Sequence, residues 1–230
     1  MSLTRLKFDI IPASCSHASS VIFLHGSGDT ADGLQDWLSS ILGRRFSFSK
    51  ARTIFPTAPL RPYTPMMGAP SNVWFDRRKI APNVPEDLET INPMCEEIGK
   101  LIQQEVDQGV PKNKIILGGF SMGGCLALHV AYRFQRELAG VFALSSFLND
   151  TSIVYKDLAG ASAEAKPPLF ACHGERDELV LHQWGVSTTT KLQEGGVDVE
   201  FHSYPRLCHE MNREELEKLQ AWIEDRLSSL

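Results

Sequence analysis

The chain has 230 residues, of which 43% are apolar and 22% are charged, and its formal net charge is −5. This length suits one α/β domain, and the composition allows a substantial hydrophobic core. A negative chain without a run of Lys or Arg lacks the electrostatic footprint of a nucleic-acid-binding protein. We therefore expect one domain over residues 1–230 that acts on small or neutral partners and not on nucleic acid.

The amino terminus and the cysteines indicate a reducing compartment. Residues 1–6 lack the apolar core of a signal peptide, and no stretch approaches the ~18 apolar residues of a membrane span. The cysteines are odd in number, scattered and mostly flanked by apolar residues, which favours buried, reduced thiols over disulfides or metal ligands. They are Cys15, Cys95, Cys125, Cys172 and Cys208. We expect a cytosolic protein without stable membrane insertion.

Short runs rich in β-forming residues alternate with longer helical patterns along the chain. The predicted strands are Lys7–Ile11, Val21–His25, Arg52–Pro56, Lys114–Phe120, Gly140–Ser145, Leu169–His173 and Val199–Tyr204. The predicted helices are Leu34–Leu42, Pro93–Gln108, Gly123–Phe134, His182–Gly195 and Arg213–Leu227. This alternation is typical of an α/β fold with a mainly parallel sheet and helices on both faces. At the start of the last helix, Asn212 and Glu215 can form a capping box.

The segment 56–93 interrupts this alternation. It holds eight of the 13 prolines and shows little helical or strand periodicity. Because a long irregular stretch after a strand end is often functional, we interpret it as a wall or partial lid over the site. The alternative is an ordered surface excursion without substrate contact.

The clearest chemical signal is the sequence GFSMG at residues 119–123. An apolar run precedes it and a helical pattern follows it, which is the strand–turn–helix context of a nucleophile elbow. Glycines two positions before and after Ser121 allow the strand and helix backbones to approach closely. The Ser121 hydroxyl is then expected at the carboxyl end of a strand, where free N–H groups and the helix dipole favour a developing negative charge.

A serine hydroxyl needs a base that removes its proton and an acid that orients the base. In this architecture the chain order is serine, acid, histidine, with the last two on loops after later strands. Asp177 follows the strand that ends at His173, and its short side chain favours it over Glu175 and Glu178 in the same turn. His209 lies in the loop after the last predicted strand, where the base is expected.

The other histidines have structural interpretations. His202 lies within a strand and His129 within a helix, while His25 and His173 precede glycines at strand ends, where they shape loops. None of the histidines forms a metal-ligand spacing such as H-E-x-x-H with its neighbours. We therefore expect neither a metal nor an organic cofactor.

The oxyanion that forms during attack needs two backbone N–H donors. The first belongs to Met122, the residue after the nucleophile, and the second to a loop after an early strand. Ser27 is the candidate for the second donor, since the flanking Gly26 and Gly28 let the backbone turn its N–H inward. A phosphate-binding interpretation of these glycines is weak, because no G-x-G-x-x-G pattern is completed and no lysine follows.

With these residues in place, the chain resembles the acyl-protein thioesterase and lysophospholipase family (carboxylesterase type 2) of α/β hydrolases. The matching motifs are residues 23–30 (FLHGSGDT), 56–59 (PTAP), 74–76 (WFD), 116–124 (ILGGFSMGG) and 172–177 (CHGERD), followed by a histidine in the last loop. The resemblance covers nearly the full length and implies a single α/β-hydrolase domain. It assigns a catalytic triad of Ser121, Asp177 and His209 and the oxyanion donors Ser27 and Met122.

The chain departs from the depalmitoylating members of that family where the acyl group would bind. Those members have apolar residues after the WFD motif, whereas this chain has Arg77, Arg78 and Lys79. A long acyl chain needs a continuous apolar channel, at roughly 0.8 kcal/mol per buried CH₂. Three cations therefore favour a shallow pocket unless they point to solvent. The residues we predict to line the substrate pocket are Trp74, Phe75, Phe147 and Leu179.

These observations predict a serine hydrolase that cleaves small acyl esters and thioesters, preferably with short acyl chains, and that also accepts S-acylated proteins. Two alternatives remain open. One is a lysophospholipase or long-chain lipid esterase, which uses the same chemistry on an amphiphile. The other is a catalytically silent hydrolase fold that serves as a binding module.

Overall fold

The computed structural model describes residues 6–15, 17–160 and 166–228, in which it contains nine strands and six α-helices. The strands are β1 (Lys7–Ile11), β2 (Ser19–Leu24), β3 (Ala51–Thr57), β4 (Leu60–Tyr63), β5 (Ala69–Asn72), β6 (Ile115–Phe120), β7 (Gly140–Leu144), β8 (Leu169–Gly174) and β9 (Val199–Tyr204). The helices are α1 (Ala31–Leu42), α2 (Leu88–Asp107), α3 (Met122–Phe134), α4 (Ile153–Ala159), α5 (His182–Glu194) and α6 (Arg213–Ser228). Within these ranges, no helix is both long and apolar enough to cross a membrane. Residues 1–5, to which the expectation about the amino terminus applies, lie outside the described residues.

Seven strands form one sheet in the order β1-β3-β2-β6-β7-β8-β9. In this sheet β1 runs antiparallel to β3, and the other neighbouring strands run parallel. The central strands β2, β6, β7 and β8 are buried along their whole length, as expected when helices cover both faces of a sheet. The predicted α/β fold with a mainly parallel sheet is therefore confirmed.

Alternating side chains of β2 separate two hydrophobic cores, one on each face of the sheet. Ile22 and Leu24 belong to the core beneath α2, α3 and α4, whereas Val21 and Phe23 belong to the core beneath α1 and α6. The rings of Phe23 and Phe142 meet edge to face with their centroids 4.8 Å apart. The sheet is thus packed from both sides, which fixes the strand ends that carry the candidate site.

The segment 56–93 is more regular than predicted. Strands β4 and β5 form an antiparallel hairpin in which Pro62 lies opposite Pro70, a position where the missing N–H groups are tolerated. Helix α2 begins directly after Asp87, whose carboxylate accepts a backbone N–H of the first turn, and it includes Pro93. The prediction of an irregular segment and of a helix start at Pro93 is therefore wrong, because the prolines hide both elements in the sequence.

Helix α4 has no counterpart among the predicted elements. Its seven residues are too few to show a helical period in the sequence. The Ser152 hydroxyl accepts the Val154 N–H at 3.2 Å, and the side chains of Val154 and Leu158 are buried. This helix is therefore stabilised by its packing against the core rather than by a strong local pattern.

The cysteines agree only in part with the prediction. Cys95, Cys125 and Cys172 are buried, whereas Cys15 and Cys208 are exposed, and all five are free thiols. For the two exposed thiols the prediction is wrong, since an apolar neighbour in sequence can be buried while the next side chain faces solvent. Within the described residues, no group of three or more His, Cys, Asp or Glu side chains is arranged to hold a metal ion.

Glu215 is a fully buried carboxyl group at the start of α6. Its Oε2 accepts the Asn212 N–H at 3.3 Å, and Asn212 Oδ1 accepts the Glu215 N–H at 2.8 Å, which confirms the predicted capping box. Burial raises the pKa of Glu215 to about 8. The folded protein therefore keeps a proton on this group at pH values where the unfolded chain has released it.

This carboxyl group should make the protein less stable as the pH rises from about 5 to 8, by up to ~1.4 kcal/mol per pH unit, because the folded state then binds more protons than the unfolded state. Glu215→Gln imitates the protonated form and should remove this slope, so the variant gains stability over the wild type at pH 8 but not near pH 5. Urea unfolding followed by circular dichroism measures both values. The exposed Glu224→Gln in the same helix is the control, and equal slopes in wild type and E215Q contradict the prediction.

Candidate active site

Ser121 lies at the turn between β6 and α3 with φ 54° and ψ −119°, a backbone conformation that L residues rarely adopt. The turn requires glycine on both sides. A Cβ on Gly119 would lie 2.5 Å from the Gly123 carbonyl carbon, and a Cβ on Gly123 would lie 2.3 Å from the Leu24 carbonyl oxygen. The Ser121 N–H donates to the Leu144 carbonyl oxygen at 2.8 Å, which ties the turn to β7. The hydroxyl is thereby held at the carboxyl end of the sheet.

His209 connects Ser121 to Asp177. Its Nε2 lies 3.0 Å from Ser121 Oγ, and its Nδ1 lies 2.7 Å from Asp177 Oδ2. The imidazole also packs on Phe120, with the ring centroids 4.9 Å apart. When Nδ1–H donates to the carboxylate, Nε2 is free to accept the Ser121 proton. The structure therefore brings together three side chains that are far apart in the sequence.

The buried Asp177 carboxylate is held by several donors. Its Oδ1 accepts the N–H groups of Leu179 and Val180 at 3.0 and 2.8 Å, and its Oδ2 lies 3.4 Å from His173 Nε2. Burial by itself would raise the pKa of Asp177. The neighbouring His173 imidazole and the hydrogen bonds from His209 and the Val180 N–H outweigh burial and hold this pKa below its ordinary value. The group therefore remains an ionised acceptor opposite His209.

The two carboxylates that compete with Asp177 in the sequence are placed differently. Glu175 and Glu178 are exposed, whereas Asp177 is buried and faces His209. The backbone N–H of Glu175 donates to the Tyr204 carbonyl oxygen at 3.0 Å, which ties the acidic turn to the end of β9. The geometry therefore favours Asp177 as the partner of the imidazole.

The peptide group that carries the Met122 N–H is anchored through its carbonyl oxygen. This oxygen belongs to Ser121 and accepts the Ser146 hydroxyl at 2.8 Å and the Cys125 N–H at 3.2 Å. Because the C=O and N–H of a trans peptide point in opposite directions, these contacts also set the direction of the Met122 N–H. Among the described residues this N–H has no hydrogen-bond acceptor.

His25 anchors the second candidate oxyanion donor in the same way. Its Nδ1 lies 2.6 Å from the Gly26 carbonyl oxygen, and its Nε2 accepts the Ala58 N–H at 3.0 Å. These contacts need a neutral ring with its proton on Nδ1, and burial lowers the pKa of His25, which favours the neutral form. The Gly26 carbonyl and the Ser27 N–H share one peptide group, so His25 sets the direction of that N–H.

A cavity of about 220 Å³ opens beside Ser121. Of the predicted pocket residues, Phe147 and Leu179 border it. Trp74 and Phe75 do not, and for these two the prediction is wrong because the chain turns both side chains into the core. The Trp74 indole N–H instead donates at 2.8 Å to the carbonyl oxygen of the residue before Gly26, and so anchors the loop that carries the second candidate oxyanion donor.

The three cations after the WFD motif have different orientations. Arg78 and Lys79 are exposed, as long basic side chains often are, whereas Arg77 borders the cavity. The Arg77 guanidinium carbon lies 4.9 Å from the ring centroid of Phe75 and 5.3 Å from that of Phe147. A cation therefore forms part of the cavity wall where the depalmitoylating relatives were expected to have an apolar channel.

Comparison with known proteins decides the family. The model of the family described as Phospholipase/Carboxylesterase matches residues 6–227. The chain belongs to this family. Lysophospholipase-like protein 1 of Mus musculus is 50% identical over 226 residues, covering 98% of this chain and 94% of that protein. Acyl-protein thioesterase 1 of Neurospora crassa is 34% identical, covering 98% of this chain and 94% of that protein.

Solved structures of plant proteins share the architecture. SOBER1 of Arabidopsis thaliana has a TM-score of 0.79 at 28% identity, covering 91% of this chain and 99% of that chain. Acyl-protein thioesterase 2 of Zea mays has a TM-score of 0.77 at 26% identity, covering 96% of this chain and 99% of that chain. These comparisons confirm the α/β-hydrolase fold, and the family makes this chain a serine esterase.

Sequence reasoning missed several residues that border the cavity of this esterase, among them two large aromatic side chains. Tyr63 comes from β4 and Trp37 from α1, where it packs edge to face on Phe120. Neither lies in a motif, so the sequence held no signal for them apart from their aromatic character. Tyr63 belongs to the segment 56–93, which agrees with the interpretation of that segment as a wall of the site.

Gly123→Ala should unfold at a lower temperature than the wild type, because its Cβ meets the backbone of β2, which cannot move without displacing the sheet. Gly99→Ala in α2 is the matched control. Its Cβ meets nothing closer than Gln135 Nε2 at 3.6 Å, and alanine favours a helix by roughly 0.5–1 kcal/mol over glycine. Thermal unfolding of both variants measures the effect. An unchanged melting temperature in G123A contradicts the tight turn.

Proposed function

We propose that this esterase cleaves acyl esters and thioesters through an acyl-serine intermediate on Ser121. The observation that carries the proposal is the hydrogen-bonded series from Ser121 Oγ through His209 to Asp177, with distances of 3.0 and 2.7 Å. The relatives named acyl-protein thioesterase and lysophospholipase-like protein support acyl esters and thioesters as the substrate class.

In the proposed reaction, His209 Nε2 takes the proton as Ser121 Oγ bonds to the acyl carbon, and Asp177 stabilises the resulting imidazolium. The carbonyl electrons move to oxygen, where the N–H groups of Ser27 and Met122 stabilise the oxyanion by about 3 kcal/mol each. The bond to the alcohol or thiol then breaks, and His209 returns its proton to that leaving group. Water hydrolyses the acyl-serine by the same steps and restores the hydroxyl.

The size of the cavity supports short acyl groups. Its volume of about 220 Å³ is below the ~300–1,000 Å³ of pockets that enclose drug-sized ligands. Arg77 in the wall interrupts the apolar surface that a long chain needs. A lysophospholipase or long-chain lipid esterase is the alternative, and it requires that the acyl chain lie outside this cavity.

Three further proposals concern the setting of this reaction. S-acylated proteins are among its substrates, which the names of the thioesterase relatives support. The protein acts in the cytosol, a proposal supported by its free thiols. Residues 1–230 act as one domain, since both hydrophobic cores of the described residues pack on one sheet.

Substitutions in the proposed triad test the chemistry. Ser121→Ala should abolish release of p-nitrophenol from p-nitrophenyl butyrate, because alanine lacks the hydroxyl that forms the acyl-serine. Asp177→Asn should lower kcat by about 10⁴-fold, since the amide no longer holds the imidazole in the useful tautomer. Steady-state kinetics measure both, and Glu178→Gln in the exposed part of the same turn should retain wild-type rates.

A fluorophosphonate probe distinguishes this proposal from a catalytically silent fold. The wild type should be labelled on Ser121, and peptide mass spectrometry identifies the site. Folded wild-type protein that resists the probe and hydrolyses no ester would contradict the proposed function and favour a binding module.

Chain length tests the preference for short acyl groups. With p-nitrophenyl esters from acetate to palmitate, kcat/KM should be highest for short chains and should decline once the acyl group exceeds the cavity. Acyl-cysteine peptides tested beside the esters extend the series to thioesters. Rates that rise steadily up to palmitate would support the lipid esterase instead.

A further inference from the structure

Arg77 is a cation without a counter-ion in the wall of the cavity. Its guanidinium packs on the rings of both Phe75 and Phe147, and its buried Nε has no hydrogen-bond partner. No described residue forms an ion pair with it. Aromatic faces offset part of the cost of removing a cation from water, but they leave the N–H donors of a guanidinium without acceptors.

Three carboxylates in this part of the fold have partners of their own. Asp76 accepts the N–H and the hydroxyl of Thr64, and Glu86 faces His129 at 3.2 Å. Asp29, which borders the same cavity, accepts the N–H of its neighbour Thr30 at 2.8 Å. None of them neutralises the guanidinium.

Cys125, which lies within hydrogen-bonding reach of Arg77, and Tyr63 in the same cavity wall supply no charge. Burial raises the pKa of Cys125 to about 12 and also raises the pKa of Tyr63, so both stay neutral. Cys125 lies one helical turn after Ser121 in α3, and it borders the cavity together with Arg77. The leaving group must lie at His209, which donates its proton and is partly exposed, so we place the acyl group against the wall that Arg77 and Cys125 share.

We propose that Arg77 binds the terminal carboxylate of a short dicarboxylic acyl group, so that this esterase prefers glutaryl-type esters and thioesters to uncharged acyl groups of equal length. A carboxylate is the planar acceptor that a guanidinium binds through two parallel N–H···O bonds. It supplies the missing counter-ion, and the small volume of the cavity restricts it to a short chain. This inference rests on the proposed function of the same site and adds no new chemical step.

The test uses thioesters of N-acetylcysteamine, whose leaving group is uncharged, and follows thiol release. Glutaryl, glutaramoyl and valeryl thioesters have acyl groups of equal length that end in a carboxylate, an amide and a methyl group. Wild-type kcat/KM should be about tenfold or more higher for glutaryl than for the other two, because one charge-assisted pair is added. High salt should reduce this ratio.

Variants assign the preference to one side chain. The glutaryl ratio is kcat/KM for the glutaryl thioester divided by kcat/KM for the valeryl thioester. Arg77→Gln should lower this ratio to about one or below. Arg77→Lys should retain part of the preference, since a lysine keeps the charge but not the paired donors. The exposed Arg78→Gln is the matched control and should keep the wild-type ratio. If Arg77→Gln does not fold, free glutarate gives a second measurement. It should slow fluorophosphonate labelling of the wild type and have less effect on Arg77→Lys.

The outcomes separate this inference from the function on which it rests. A wild type that cleaves valeryl thioesters as fast as glutaryl thioesters overturns the role of Arg77 and leaves the hydrolase intact. A glutaryl ratio in Arg77→Gln as high as in the wild type also overturns the role of Arg77. If the favoured substrate is instead a valeryl thioester of 2-mercaptoethanesulfonate, the cation serves the leaving group and the acyl assignment is wrong. If the wild type cleaves none of these thioesters and is not labelled by the fluorophosphonate, the proposed function itself is contradicted.

Discussion

The close approach of α3 to β6 and β2 is the constraint on which the site depends. Ser121 adopts a positive φ because the chain must reverse from strand to helix within one residue. That reversal is possible where Gly119 and Gly123 leave the backbone atoms in direct contact. The same turn aligns the hydroxyl with His209 and starts a helix whose first N–H faces the cavity. A single steric condition therefore positions both the proposed nucleophile and one of the two candidate oxyanion donors.

Hydrogen bonds outside the cavity hold the reacting groups in place. Asp177 accepts two backbone N–H groups as well as the His209 imidazole, so its orientation does not depend on substrate. Ser146 and His25 donate hydrogen bonds to two backbone carbonyl oxygens. Because a peptide group is planar, these bonds also fix the direction of the N–H on its opposite side. Preorganisation of this kind is worth most in a site that excludes water, because no dipoles must turn when charge develops.

Much of the fold and of the candidate site is predictable from the sequence, because it depends on local patterns. The strands, the long helices and the elbow at Ser121 depend on short-range periodicity and on glycine positions, which a sequence displays directly. Asp177 and His209 followed from chain order at the ends of later strands. The contact from Ser146 to the Ser121 carbonyl, and the inward orientation of Arg77 beside the outward Arg78, depend on tertiary packing in segments without a period. Trp74 was misplaced for the same reason, since aromatic character alone does not tell a cavity wall from a core.

Part of the cavity wall and the candidate reactive groups come from different parts of the chain. Tyr63 and Arg77 belong to the excursion between β3 and α2, whereas the hydroxyl, the imidazole and its carboxylate sit on strand ends of the main sheet. Exchanging residues in that excursion can therefore change which molecules are accepted while the bond-breaking apparatus stays as it is. Substrate preference and bond cleavage are thus separable properties of this fold, which substitution of Tyr63 or Arg77 alone can address.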